Sequence, residues 1–385
     1  TTPAIYLEMR SVMTNTAPTA VYRSAGRPEA IYVIERLIEL AARETGFDRM
    51  ALRRQNLIAS DAMPFMNAVG VTYDSGDYVA GMDAALDTAE WDGFRTRRAD
   101  AAQRGRCRGI ALANYIEVTS GIPRERAEIT IRDDGHVDLV VGTASSGQGH
   151  ETSFPQLVSD WLEIPFDTVH FVANDTDRVS VGGGSHSGRS MRLVSIAVDE
   201  ALQALKTKGF AIAAEVLQTS VDDIQYGDGR FSTASGASIT WREVAKASRS
   251  LATLPDSLKG GLEGIGDVTN RAGGYPYGAH VCEVEVDPET GHVDIVDWTC
   301  VDDVGRAVNP LILHGQAHGA ATQGIGQALM EAVVYDPKDA QLLTGSFMDY
   351  AMPRAANTPP FRTVITEVPA TSHPHGIRPG GEGGT

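Results

Sequence analysis

Glu382 stands alone among glycines in the run Arg378-Pro379-Gly380-Gly381-Glu382-Gly383-Gly384-Thr385. A carboxylate so placed suits general-base chemistry, because glycine lets the backbone turn sharply and approach a partner closely. The run also ends the sequence, whereas an ordered terminus is usually held by a strand or a docked helix. The pattern therefore predicts a working carboxylate and a chain cut from a longer one.

Three polar loops read as running straight into helices. The first is Ser145-Ser146-Gly147-Gln148-Gly149-His150, before a helix from 151 whose first turn would hold Pro155. The second is Gly182-Gly183-Gly184-Ser185-His186-Ser187-Gly188-Arg189-Ser190, before a helix carrying Val194 and Ala197. The third is His314-Gly315-Gln316, before a helix over 317–331. Helix N-termini present free N–H groups and partial positive charge, and glycines let an anion reach them. Gln148, Gln316 and Gln323 add amides that both donate and accept, which suits a heterocyclic cofactor. The competing reading is that such loops merely cap helices. No GxxxxGK[ST] occurs, and no GxGxxG follows a strand in a βαβ unit, which disfavours conventional NTP or NAD binding. His314 and His318 have a helical spacing that can chelate zinc, but no third ligand accompanies them. A zinc hydrolase is thus a minor alternative to packing histidines.

The elements that must position these groups follow from periodicity. Residues 1–28 read as extended chain entering a loop. Over 29–44, Ile31, Ile34, Leu37, Ile38 and Ala41 fall on one helical face, with Glu35, Arg36 and Glu39 opposite. A short helix follows Asp48, and Ser75 or Asp77 would cap another through Leu86. The stretch 92–106 is polar and basic and reads as a linker between domains at 1–91 and 107–385. Beyond it, 127–132 and 136–141 form a hairpin around Asp133-Asp134-Gly135, and 281–286 pairs with 293–301. Helices are expected over 151–163, 190–207, 240–249 and 316–332, with Thr240 and Glu243 as a capping box. The fold class is mixed α+β.

Composition narrows the function. The chain of 385 residues is long enough for two or three domains. Its net charge of −17 argues against nonspecific nucleic-acid binding and makes an anionic cofactor depend on local donors. Three cysteines without a CxxC pair fit a reducing compartment, and neither a spanning apolar run nor a secretory signal is visible, so a cytoplasmic location is expected.

Taken in order, the motifs resemble those of molybdenum hydroxylase large subunits: the xanthine dehydrogenase, aldehyde oxidoreductase and carbon monoxide dehydrogenase family. The resemblance rests on Tyr22-Arg23-Ser24-Ala25-Gly26-Arg27-Pro28-Glu29, Gly147-Gln148-Gly149-His150-Glu151, Ser187-Gly188-Arg189-Ser190, Asn309-Pro310 with Gly315-Gln316 and Gln323-Gly324, and Gly381-Glu382-Gly383. It implies two molybdopterin-binding domains, the first incomplete and the second truncated at its C-terminus. It implies a molybdopterin cofactor, commonly the cytosine dinucleotide form, held by Arg23, Gly147, Gln148, Gly149, Ser187, Gly188, Arg189, Ser190, Gln316 and Gln323. Molybdenum would be held by the pterin dithiolene, so no protein metal ligand is expected. Glu382 would act as base in a hydroxylation that takes its oxygen from water. Electrons would pass to 2Fe-2S and FAD partners, in a dimer of heterotrimers.

Two positions depart from family patterns. Ser24 stands where copper-containing carbon monoxide dehydrogenases carry a cysteine, and a hydroxyl is a poor ligand for a soft metal. Ala25 stands where xanthine dehydrogenases place a phenylalanine, which removes an aromatic wall. An aldehyde or a non-purine N-heterocycle is the expected substrate, with Ser24, Ala25 and His186 at the pocket. The alternative is a non-catalytic cofactor-binding or assembly module of the same fold.

Overall fold

The computed structural model describes residues 2–269 and 273–385. In chain order the elements are helices α1 (Arg27–Thr45) and α2 (Arg49–Asn56), the short strands β1 (Phe65–Met66) and β2 (Thr72–Tyr73), helices α3 (Tyr78–Thr88) and α4 (Phe94–Gln103), and strands β3 (Cys107–Ile116), β4 (Arg124–Ile131) and β5 (Val137–Val141). Then come α5 (His150–Leu162), β6 (Val169–Val172), α6 (Arg189–Leu217), β7 (Ile224–Gly227), β8 (Arg230–Thr233), β9 (Ser238–Thr240), α7 (Trp241–Ser250) and β10 (Leu262–Thr269). The chain closes with β11 (Tyr277–Val286), β12 (Val293–Asp303), α8 (Pro310–Leu329) and β13 (Phe361–Thr366). Mixed α+β is the observed class. The elements fall into two compact units: Thr1–Thr119 with Gly274–Thr385, and Ser120–Gly273.

The discontinuous unit is built on a sheet of order β13-β12-β11-β3, antiparallel except for the β12–β13 pair, which α8 connects. Met82, Ala85 and Ala89 of α3 and its C-cap pack on Ile110, Leu112, Ala279, Val281 and Val301 of that sheet. The basic stretch 92–106 contains α4. Its Arg97 pairs with Glu283 at 2.9 Å, and the following Arg104 pairs with Glu285 at 2.6 Å, both on β11.

Helix α1 turns a different face inward from the one its apolar spacing predicts. Ile34 and Leu37 are half exposed, while Glu35 and Glu39 reach Arg53 at 2.6 and 2.9 Å. Arg53 is buried, and its charge pulls the two acids to the packed side.

The contiguous unit carries the sheet β10-β4-β5-β6, with β5 and β6 parallel across α5. Strand β4 buries alternate residues, Ala127, Ile129 and Ile131 among them, as period-two patterning requires. Helix α6 lies almost against the backbone of β10. A Cβ at Gly264 would stand 2.0 Å from the Ala201 carbonyl oxygen, and one at Gly266 would stand 1.9 Å from that of Ala197. Only glycine fits so close a helix–strand approach. Thr240 and Glu243 form the expected capping box on α7.

Two expected helix starts need correction. Pro155 is the sixth residue of α5 rather than in its first turn, so the Glu151 carbonyl lacks its usual intrahelical donor. His314-Gly315-Gln316 is no loop at all. Helix α8 begins at Pro310, with the Asn309 side chain accepting from the Ile312 N–H at 3.0 Å. Asparagine as cap followed by proline in the first position is a start signal, and it lies upstream of the glycine that suggested a loop.

Candidate active site and cofactor cradle

In the discontinuous unit, the segment 380–385 lies along α8 and over β3, which explains its glycines. A Cβ at Gly383 would stand 2.0 Å from the Tyr115 hydroxyl, and one at Gly384 would stand 2.7 Å from the Ala321 nitrogen. The segment is half-buried rather than freely exposed. Its start is pinned by Arg378, whose buried guanidinium pairs with buried Asp303 at 2.5 Å and donates to the Val368 carbonyl at 2.6 Å. Burial pushes the Asp303 carboxyl up, against the pull of the Val368 N–H and Arg378.

Arg23 and Ser24 hold the two carbonyls around the Glu382 side chain. Arg23 Nε donates to the Gly381 carbonyl at 2.7 Å, and Nη2 donates to Gln316 Oε1 at 3.0 Å. The Ser24 hydroxyl donates to the Glu382 carbonyl at 2.5 Å. Tyr22 donates to the Gln323 backbone carbonyl at 3.2 Å. So Arg23, Ser24, Gln316, Gln323 and Glu382 come together, with Ala25 exposed beside them. The turn is unusual: Ser24, Ala25 and Gly26 have φ of 72°, 46° and 88°. Two consecutive non-glycine residues in the left-handed region are costly and need external support. Arg27 supplies it, donating from Nη1 to the Ser24 carbonyl at 2.9 Å and from Nε to Glu117 at 2.9 Å.

Glu117, just past β3, was not evident from sequence. It is buried and accepts from the Val118 N–H at 2.9 Å. Burial pushes its carboxyl up to about 7, with Val118 and Arg27 opposing and Glu382 adding to the rise. Its only sequence signal is an acid at the exit of an apolar strand. Tyr115 also escaped notice; its hydroxyl donates to Asp302 at 2.6 Å, and Asp302 meets His280 at 2.8 Å. Burial pulls the His280 imidazole down, but Asp302 and Cys300 outweigh it and leave it well above its ordinary value.

In the contiguous unit, the first two predicted loops do meet. Gln148 Nε2 donates to Ser185 Oγ at 3.1 Å, Ser190 Oγ donates to the same oxygen at 3.2 Å, and Thr143 shares a 3.1 Å hydroxyl contact with Ser190. Gly149 and Gly188, both left-handed, are the N-caps of α5 and α6. Added Cβ atoms at Gly147 and Gly184 would meet nothing within 4 Å, so the backbone there is open to a ligand. Two helix N-termini, open glycines and a row of hydroxyls fit a phosphate-bearing cofactor such as molybdopterin.

Arg189 lies in the same motif yet faces inward. It is fully buried, paired with fully buried Glu125 at 2.7 Å, and it donates to the carbonyls of Ile122, Arg124 and Gly184, each at 2.7 Å. His186 rests against Gly121 and accepts from the Ile122 N–H at 3.4 Å. Burial, and then Arg189, pulls its imidazole down. His314 and His318 share Thr363 of β13, at 2.6 and 3.5 Å, and His318 stacks on Phe361. Among the described residues no three His, Cys, Asp or Glu side chains gather as a metal site.

Two profiles match the chain, both described as a molybdopterin cofactor-binding domain, over residues 84–359 and 1–57. The carbon monoxide dehydrogenase large chain of Afipia carboxidovorans is 33% identical over 99% of this chain and 49% of its own length. The 6-hydroxypseudooxynicotine dehydrogenase complex subunit gamma of Paenarthrobacter nicotinovorans is 32% identical over the same shares. The crystal structure of quinoline 2-oxidoreductase from Pseudomonas putida superposes with a TM-score of 0.87 at 30% identity, over 94% of this chain and 48% of that one. The chain spans about half the length of the curated relatives it matches. It belongs to the family of molybdopterin cofactor-binding domains.

Proposed function

We propose that the chain is the cofactor-holding catalytic core of a molybdenum hydroxylase that oxidises an aldehyde or an N-heterocycle. The observation that carries this reading is the grip of Arg23 and Ser24, from one strained turn, on the carbonyls of Gly381 and Glu382. That grip fixes the backbone of a carboxylate suited to take a proton. When bound, the cofactor supplies an oxygen derived from water and accepts two electrons. In the contiguous unit, Gly147, Gln148, Gly149, Ser187, Gly188 and Ser190 would bind phosphate or ring atoms of the cofactor. In the discontinuous unit, Gln316 and Gln323 on α8 would offer it amide groups. Arg189 serves by holding the loop's shape.

Residues 1–91 would be the end of one cofactor-binding domain and 107–385 most of a second. The Ser24 hydroxyl is spent on the Glu382 carbonyl, which disfavours a copper-dependent reaction such as that of the Cu,Mo-CO dehydrogenase structure. Relatives named for nicotine and quinoline favour the N-heterocycle. The cytosine dinucleotide form, 2Fe-2S and FAD partners, a dimer of heterotrimers and a cytoplasmic location complete the proposal. Glu382→Gln in the full-length protein, purified with its partners, should lose turnover by at least about a hundredfold and keep its molybdenum content. Undiminished turnover would end the assignment of the base.

A further inference from the structure

Tyr115, Gly278 and Asp302 lie side by side across β3, β11 and β12, since Gly278 is paired in register with both of the others. Strands two apart stand about 10 Å from each other, so a side chain on the middle strand normally separates those on the outer two. Gly278 leaves that place open. A Cβ there would stand 2.6 Å from Tyr115 Cε1 and 2.7 Å from Asp302 Oδ1. Through the gap the Tyr115 hydroxyl donates to Asp302 Oδ1 at 2.6 Å, and His280 Nε2 meets the same oxygen at 2.8 Å. Asp302 and His280 are buried, so they brace the ring in a fixed position. The 380–385 segment rests on the hydroxyl end of that ring: a Cβ at Gly383 would stand 2.0 Å from the oxygen and 2.1 Å from Cζ. A tyrosine that merely filled a core would need neither glycine.

We propose that Tyr115 is a positioning residue for Glu382, a braced stop on which Gly383 seats and which sets where the neighbouring carboxylate stands. This rests on the reading of Glu382 as the base. Arg23 and Ser24 hold the carbonyls of Gly381 and Glu382, which fixes the segment up to the carboxylate. Tyr115 fixes the residue after it. Held before and after in sequence, the Glu382 backbone has little room to move, and a base misplaced by about 1 Å loses up to about a hundredfold in rate. The hydroxyl matters twice: it is the ring atom nearest Gly383, and it is the donor that ties the ring to Asp302.

The test uses the full-length protein with its partners. Tyr115→Phe should lower kcat about tenfold and leave KM and molybdenum content unchanged. It should also speed hydrogen–deuterium exchange at the amides of 382–385. Gly383→Ala leaves Tyr115 in place and should do the same, because its methyl group has no room. The double variant should be no slower than the worse single, since both changes break one contact. Unchanged kcat in Tyr115→Phe, a loss carried by KM alone, or losses that multiply in the double variant overturn the proposal. If Tyr115→Phe does not fold, Gly383→Ala decides, and unchanged kcat or unchanged exchange there overturns it. If Glu382→Gln keeps full turnover, the base assignment fails, while exchange at 382–385 in Tyr115→Phe still judges whether Tyr115 holds the segment.

Discussion

Replacing Arg189 by methionine should unfold or severely loosen the contiguous unit. The guanidinium is fully buried, pairs with Glu125 at 2.7 Å and satisfies three backbone carbonyls. Methionine keeps most of the volume and removes every donor. Stranding the buried Glu125 carboxylate costs about 3–5 kcal/mol, and each carbonyl left without a donor adds about 1–3 kcal/mol before relaxation. Because the terms overlap, a loss of at least about 4 kcal/mol is the working figure, large beside a typical total of about 5–15 kcal/mol. Urea unfolding of the wild type, Arg189→Met, Glu125→Gln and the double variant closes a cycle. The double variant should recover about 2 kcal/mol or more relative to the sum of the singles. A change in Arg189→Met below about 1 kcal/mol, or a coupling near zero, would refute the buried-pair argument. It would then favour a direct cofactor contact, to be seen as lost cofactor in a stably folded Arg189→Met protein.

Gly266→Ala places a methyl group 1.9 Å from the Ala197 carbonyl, so α6 must shift; stability should fall by about 3 kcal/mol, measured by thermal unfolding. Thr240→Ala removes one half of the α7 capping box and should cost about 1 kcal/mol in the same assay, without changing cofactor content.

Local periodicity made much of the fold legible. Both hairpins, the capping box and most helices follow from patterns within a dozen residues. The failures have specific causes. The start of α8 was hidden behind Gly315, although Asn309-Pro310 marked it. The inward face of α1 was misassigned because Arg53, on the next helix, draws Glu35 and Glu39 inward. Glu117, Tyr115 and Glu125 acquire their roles through partners remote in sequence: Arg27, Asp302 and Arg189. No window of sequence contains both members of these pairs. The glycines around Glu382 were legible as a signal of close approach, but what they approach was not.

The order of assembly follows from where the contiguous unit is inserted. Strand β3 pairs with β11 only after all of residues 120–273 have been synthesised. The contiguous unit has its whole β10-β4-β5-β6 sheet before β11, β12 and β13 exist. Its ends also meet early, since Arg124 pairs with Thr269 across β4 and β10. Once that pairing forms, the long loop between β3 and β11 is reduced to a short one, and the closure entropy falls accordingly. The 2.9 Å bond from the Thr119 N–H to the Gly274 carbonyl then closes the gap. On the ribosome, the pairing of the insertion's ends shortens the loop that β3 and β11 must close, and the Glu382 segment, which emerges after β11, β12 and α8, docks onto strands and a helix already made.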